Sequence, residues 1–325
     1  NWGPVNEVVT VSDEVTLVDR FGKPDNTNYE YWFSTANFLA YSNNLKIVRA
    51  VDTAATLNAS ANGTGVLIEN ESDYVNNHEN ASNSTFGPFA ARWAGALGNS
   101  LRVSICPSSQ AFSANLTVTD SLRANAVTAG ATVINVQGNA DARANLANND
   151  LISVDGGSTY IRVAEVNATA IIVSTAPGTV ANSTPILRKW QYADQFGVAP
   201  GTSSYVSDKN GSGDEMHIIV IDEDGKFDGS ANTVLEKYAF VSKASDAISN
   251  DGSSNFYKTV LNEQSRYVWW MAHQPGSSNW GTAASGTTYT DLKNPWYSSL
   301  SAGVNGTIGA SQIITSYGFL SNPDV

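Results

Sequence analysis

Hydrophobic positions along this chain follow two rhythms, and the sharpest one is a run. Ile218-Ile219-Val220-Ile221 leads into the acidic turn Asp222-Glu223-Asp224-Gly225-Lys226, and apolar positions return from Val234 to Val241. A buried strand, a turn and a returning strand are the elements this pattern predicts. Leu101 to Cys106 forms a second buried run. Helical spacing appears earlier: Tyr29, Trp32, Phe33, Ala36, Leu39 and Ala40 recur at three and four residues, with Asn28 placed to cap them. Before that, residues 5–11 alternate as a short strand. Ser12 then caps a helix carrying Asp13 and Glu14 in its first turn, and Phe21-Gly22-Lys23-Pro24 ends it. Leu45 to Val51 reads as a buried strand. The order strand, helix, helix, strand predicts a mixed α/β layer.

From 52 to 88 the chain is dense in Asn and Ser, with Val66-Leu67-Ile68 as its one apolar run, and is expected to be a polar surface excursion. Between about Leu116 and Arg188 the character changes. Short Val/Ile/Thr strands at 132–136, 151–154, 160–166, 171–174 and 186–188 are separated by Gly and Asn, as in a small all-β barrel or sandwich. The expected organisation is therefore an α/β (mixed α+β) core domain, discontinuous in sequence, over 1–115 and 191–325. A small β-rich domain at 116–190 is inserted into it. Further on, 253–264 fits a helix with Phe256, Val260 and Leu261 on one face. Tyr267 to Met271 fits a strand, and 275–291 a loop.

Composition narrows the classes. Of 325 residues 42% are apolar and only 15% charged, yet eight Trp, thirteen Tyr and eleven Phe supply ample core material, so the chain is not of the disordered kind. A net charge of −12 with no Lys/Arg run argues against direct nucleic-acid binding and against adsorption to anionic membranes. No apolar run approaches the length of a membrane span, and no signal peptide is visible. Cys106 is the one cysteine, so no internal disulfide can form, and its place in an apolar run predicts an inert, buried thiol.

Candidate chemistry is sparse. Asp222, Asp224 and Asp228 suggest a calcium loop, but Lys226 stands at its fifth position and Thr233 at its twelfth, so a solvated hairpin turn is the better reading. His78, His217 and His273 lack metal-ligand spacing. There is no Gly-x-Ser-x-Gly elbow and no phosphate-binding glycine motif. Asn58, Asn80, Asn83, Asn115, Asn167 and Asn182 open Asn-x-Ser/Thr sequons, which chance explains in so Asn-rich a chain. No catalytic residue, cofactor site or metal site is assigned. Asn1 opens without a Met, and Val325 stops after Asn322-Pro323-Asp324, where another strand could begin, so the sequence reads as a portion of a longer chain.

Three stretches carry a resemblance. They are Phe21 to Val51 (with Asn28-Tyr29-Glu30-Tyr31-Trp32-Phe33 and Asn37-Phe38-Leu39-Ala40-Tyr41), Gly98 to Ile105, and Asp214 to Trp270 (with Val241-Ser242-Lys243-Ala244-Ser245-Asp246-Ala247). In this order and spacing the chain resembles the tail sheath proteins of contractile-tailed, myovirus-type bacteriophages. The resemblance implies a non-enzymatic structural subunit of the virion tail, assembled in the bacterial host cytoplasm and needing no cofactor. It implies stacked hexameric rings around a tail tube, contraction that drives the tube through the host envelope, and neighbouring sheath subunits, tube protein, baseplate and tail terminator as partners. Direct nucleic-acid contact and membrane insertion are not implied. It also implies that 116–190 is the outward-facing variable insertion, and that a C-terminal tube-proximal domain lies outside this chain. A sheath of a phage-derived injection particle follows the same logic. Two alternatives remain open. One is a secreted carbohydrate-binding or adhesive protein, with Trp280 or Trp296 stacking on sugars; the other is a hydrolase with dispersed acids.

Overall fold

The computed structural model describes residues 2–80, 84–138 and 141–321. The chain opens with strand β1 (Val8–Val11) and closes its first unit with β2 (Leu45–Val48), antiparallel, Val8 opposite Val48 and Val11 opposite Leu45. Helices α1 (Glu14–Phe21) and α2 (Tyr29–Leu39) lie between them. Asp13, not Ser12, caps α1. Its carboxylate accepts the Thr16 N–H at 2.7 Å while Ser12 Oγ donates to that same carboxylate, because a charged acceptor suits a helix start better than a hydroxyl. Gly22 at φ +80° ends the helix, in a conformation that favours glycine. Asn28 does precede α2, but its Oδ1 accepts from the Asp25 N–H instead of capping. β2 is shorter than expected and half-buried, since only β1 pairs with it.

The 52–88 segment corrects the expectation of a surface excursion. Val66, Ile68 and Tyr74 are buried with Ala90, Trp269 and Met271 in a core of their own. Asn58, fully buried, holds the segment down: its Nδ2 donates to the Ala91 carbonyl and its Oδ1 accepts from the Ile68 N–H. An Asn-rich composition looked solvated because amides that pin backbone groups cannot be told in sequence from amides that face water.

β3 (Phe89–Ala91) and β4 (Leu101–Cys106) follow, all their residues buried. Then come eight short strands. They are β5 (Ser113–Asn115), β6 (Arg123–Ala124), β7 (Val133–Gln137), β8 (Leu151–Ser153), β9 (Ile161–Val166), β10 (Ala170–Val173), β11 (Thr184–Pro185) and β12 (Leu187–Lys189). They pair antiparallel in the order β11-β6-β7-β10-β9-β8-β12-β5. The outermost strands do not pair with each other, so the barrel allowed for in the sequence is not closed. Leu122, Ile134, Ile152, Val163 and Ile171 make its separate apolar core.

The central sheet is four-stranded, in the order β14-β13-β4-β16, all antiparallel. β13 (Glu215–Asp222) and β14 (Thr233–Ser242) are the predicted strand and its return. Alternation along β13 sends Met216, Ile218 and Val220 into the main core and Ile219 and Ile221 into a second cluster with Trp190 and Tyr192. Both faces are covered, which is why the run lacks polar alternation. The predicted helix forms over Tyr257–Gln264. β15 (Val268–Trp270) pairs with β3, and β16 (Trp296–Ser299) pairs with β4. Strand β16 and a C-terminal helix, Ala310–Leu320, were not foreseen. The whole is a mixed α+β fold with several sheets. The point near Val325 where a further strand could begin lies outside the described residues.

Candidate functional site

The residues that looked chemical serve the fold. Asp222 is fully buried, and so the turn is not merely solvated. Its Oδ1 accepts from Ser100 Oγ (2.6 Å) and the Lys226 N–H; its Oδ2 accepts from the N–H groups of Phe227 and Asp228. Four donors fix the loop, and Gly225 lets it close: a Cβ there would meet the Ala231 nitrogen at 2.7 Å. Asp224 and Asp228 point away, exposed. Among the described residues no group of three His, Cys, Asp or Glu is placed to hold a metal ion.

The three histidines are scattered. His217 is buried against Phe196 and Phe240. Its Nε2 lies 2.9 Å from the Val198 carbonyl and must donate, so its Nδ1 accepts the Phe240 N–H. The ring is held neutral, and burial pushes its pKa down. Phe240 itself sits at φ +55° in a bulge of β14, a strained geometry for a phenylalanine that this hydrogen bond supports. His273 Nδ1 lies 2.6 Å from the Tyr257 hydroxyl, which accepts from Trp270 Nε1. His78 stands on a separate short helical turn. Cys106 is buried, its thiol pushed upward by burial.

Trp280 is also buried, its indole N–H donating to the Thr290 carbonyl, and Trp296 packs half-buried against Phe89, so neither is an open stacking platform. Among the sequons, Asn58 is inaccessible, while Asn115 and Asn167 bond nearby backbone N–H groups; Asn83 lies outside the described residues.

What the structure does bring together is a groove of about 770 Å³, with Trp32, Ile47, Val48, Ile308, Ile313 and Leu320 along its walls. One side is built by the first fifty residues and the other by the C-terminal helix, which packs on β2. Around it, large apolar side chains stay outside: Tyr31 is 73% exposed, Tyr41 94%, Ile314 70% and Tyr317 68%. Most of the large apolar side chains left exposed among the described residues belong to this unit. Two cations line the groove, Lys46 and Arg49. Arg49 donates to the carbonyls of Gly3 (2.8 Å) and Ala94 (2.7 Å), and burial pulls its pKa down to about 10, so it stays charged at neutral pH. Among the described residues neither has a carboxylate within 4.0 Å, whereas nine other Lys or Arg side chains do. Sequence reasoning found the helical face of α2 but not this groove, whose walls lie at opposite ends of the chain.

No family model matches the chain. Curated relatives do. Over 294 residues it is 24% identical to the tail sheath protein of Salmonella phage ViI, covering 83% of this chain and 44% of that protein. A 59-residue stretch, 18% of this chain, is 44% identical to the tail sheath protein of Enterobacteria phage T4 and covers 9% of it. The match to the tail sheath protein of Vibrio phage KVP40 is 36% identical over 59 residues, again 18% of this chain and 9% of that protein. The chain thus spans less than half the length of the curated relatives it matches. Three separate phage tail sheath proteins are thus similar to this chain, one of them along most of its length.

Proposed function

We propose that the polypeptide is a structural subunit of a phage contractile tail sheath. It polymerises as stacked hexameric rings around the tail tube and contracts to drive that tube through the host envelope. The observation that carries this reading is the 294-residue match to the phage ViI tail sheath protein. Its partners are neighbouring subunits and the tube protein, with baseplate and tail terminator at the two ends, and its place is the virion tail, after assembly in the host cytoplasm. No catalytic step is part of the reading. Among the described residues no helix is long and apolar enough to cross a membrane.

Residues 1–115 and 191–325 act as the sheath core and 116–190 as an outer module carried on it. This division is supported by the strand pairing. β5 to β12 pair only with one another, and β5, which leads into the module at its boundary, lies beside the module's last strand, Asn115 opposite Leu187. Arg188, fully buried, ties the junction: it donates to the carbonyls of Asn145, Gln110 and Lys293 and to Asn294 Oδ1. The sugar-binding reading loses one of its two named stacking residues with Trp280 buried.

Electron microscopy of the full-length polypeptide, alone and with tail tube protein, tests the proposal. Hollow striated cylinders are the expected outcome. Dispersed particles under both conditions would overturn it.

A further inference from the structure

We propose that the joint between the eight-stranded module and the central sheet is a proton-operated latch, closed while the Asp150 carboxyl holds its proton and loosened when it ionises. The inference uses the division into core and module and is independent of the sheath role.

The joint is built around two buried side chains of opposite type that do not pair. Asp150, fully buried just ahead of β8, reaches across to the core. Its Oδ1 accepts from the Tyr297 hydroxyl of β16 at 3.0 Å, while its Oδ2 accepts from the Ala147 N–H at 2.9 Å within the module. Arg188 on β12 reaches the same way, to the carbonyls of Gln110 and Lys293. Yet among the described residues no cationic side chain comes within 4.0 Å of the Asp150 carboxylate. Arg188 Nε is itself buried without a hydrogen-bond partner. A carboxyl shut from water with no cation against it is costly to ionise, and opening to water relieves that cost.

The neighbouring groups leave the switching to Asp150. Cys106 on β4, Tyr192 after β12 and Tyr297 on β16 are all pushed up by burial, so they stay neutral. Arg162 on β9 donates to Asn149 Oδ1 at 3.0 Å, and Asp120 meets Lys293 at 3.8 Å. For Asp150, burial outweighs the attraction of Arg188 and raises the carboxyl to about 6. The closed joint is therefore favoured in mild acid and loses that preference as pH rises through about 6. The contacts of Arg188 persist, so the module loosens without detaching.

Hydrogen exchange of the full-length polypeptide at about pH 5 and about pH 7.5, normalised to intrinsic rates, tests this. The reporters are the Val163 N–H, which donates to the Asp150 carbonyl, together with those of Ala147 and Gln191. They are expected to lose about tenfold in protection at the higher pH, while Ile219 in β13 does not change. Asp150→Asn is expected to keep the protection at both pH values, and Asp120→Asn to leave the wild-type response intact. Equal protection in the wild type at both pH values would overturn the inference, as would a response that survives in Asp150→Asn. If that variant does not fold, the carbon-13 shift of the wild-type Asp150 carboxyl decides. A titration midpoint that coincides with the opening supports the latch; one more than about a unit away overturns it. Module and core amides exchanging as one unit at both pH values would sink the division and the latch together. Separate units with a pH-indifferent joint would sink the latch alone.

Discussion

The central sheet and the terminal groove are built from similar residues and treat them in opposite ways. In β13 every side chain from Met216 to Asp222 is buried, and even its histidine and aspartate are satisfied internally. In α2 only Trp32 is buried, although its neighbours Tyr29, Tyr31, Phe33 and Phe38 are as apolar as anything in the core. The difference is one of closure. The sheet has material on both faces, whereas the helix has a core on one side and open surface on the other. An apolar pattern therefore states what a segment can bury, not which molecule supplies the other half.

This contrast can be broken by experiment. The largest effect is expected from Ile218→Ala in β13, which leaves a cavity in a closed core and should cost about 4 kcal/mol in denaturant unfolding. Asp222→Ala should follow at about 3 kcal/mol, since it strands three backbone N–H groups and Ser100 Oγ. A limited proteolysis time course should show the 222–232 loop becoming the first cleavage site in that variant.

Asp150 tests the junction by pH. Burial outweighs the attraction of Arg188 and raises its carboxyl to about 6, and the Tyr297 hydroxyl donates to it at 3.0 Å. Between the unfolded carboxyl's range near 4 and the folded value near 6, the folded state keeps a proton that the unfolded state has lost. Stability contributed by this group is thus complete below about pH 4 and lost as pH rises through about 6. Unfolding midpoints of wild type and Asp150→Asn, measured from pH 4 to 7, should converge in slope everywhere except that window, where only the wild type falls, by about 2 kcal/mol.

The smallest effect sharpens the comparison most. Ile314→Ala in the isolated polypeptide should change stability by no more than about 0.5 kcal/mol, because the side chain has nothing to lose. A loss near that of Ile218→Ala would mean that this face of the C-terminal helix is already covered, and that the two regions do not differ.

Legibility followed the same line. The β13–β14 pair was readable because Ile218 to Ile221 has one interpretation: long, β-branched and followed by an Asp-Gly turn. The bulge at Phe240 was not, since nothing in a hydrophobic run announces a left-handed phenylalanine held by a histidine one strand away. The helix Ala310–Leu320 escaped because Ile313, Ile314 and Thr315 are β-branched and Gly318 follows, all poor helix formers; its packing on β2 decides the matter. The groove was invisible for a simpler reason. Its walls are some 270 residues apart in sequence, Ile47 against Ile313.

The neighbouring ends of the eight-stranded module have a further consequence. Opposed residues of antiparallel strands sit about 5 Å apart, so Asn115 and Leu187 form a doorway of fixed width. The frame meets the module at that doorway and at the contacts of Asn145 and Asp150 with Arg188 and Tyr297, so strands away from these points can be lengthened, shortened or exchanged without altering the frame. Such a doorway gives this chain one place where its outline can diverge rapidly while its internal register stays the same, and a ready position at which to display a foreign peptide.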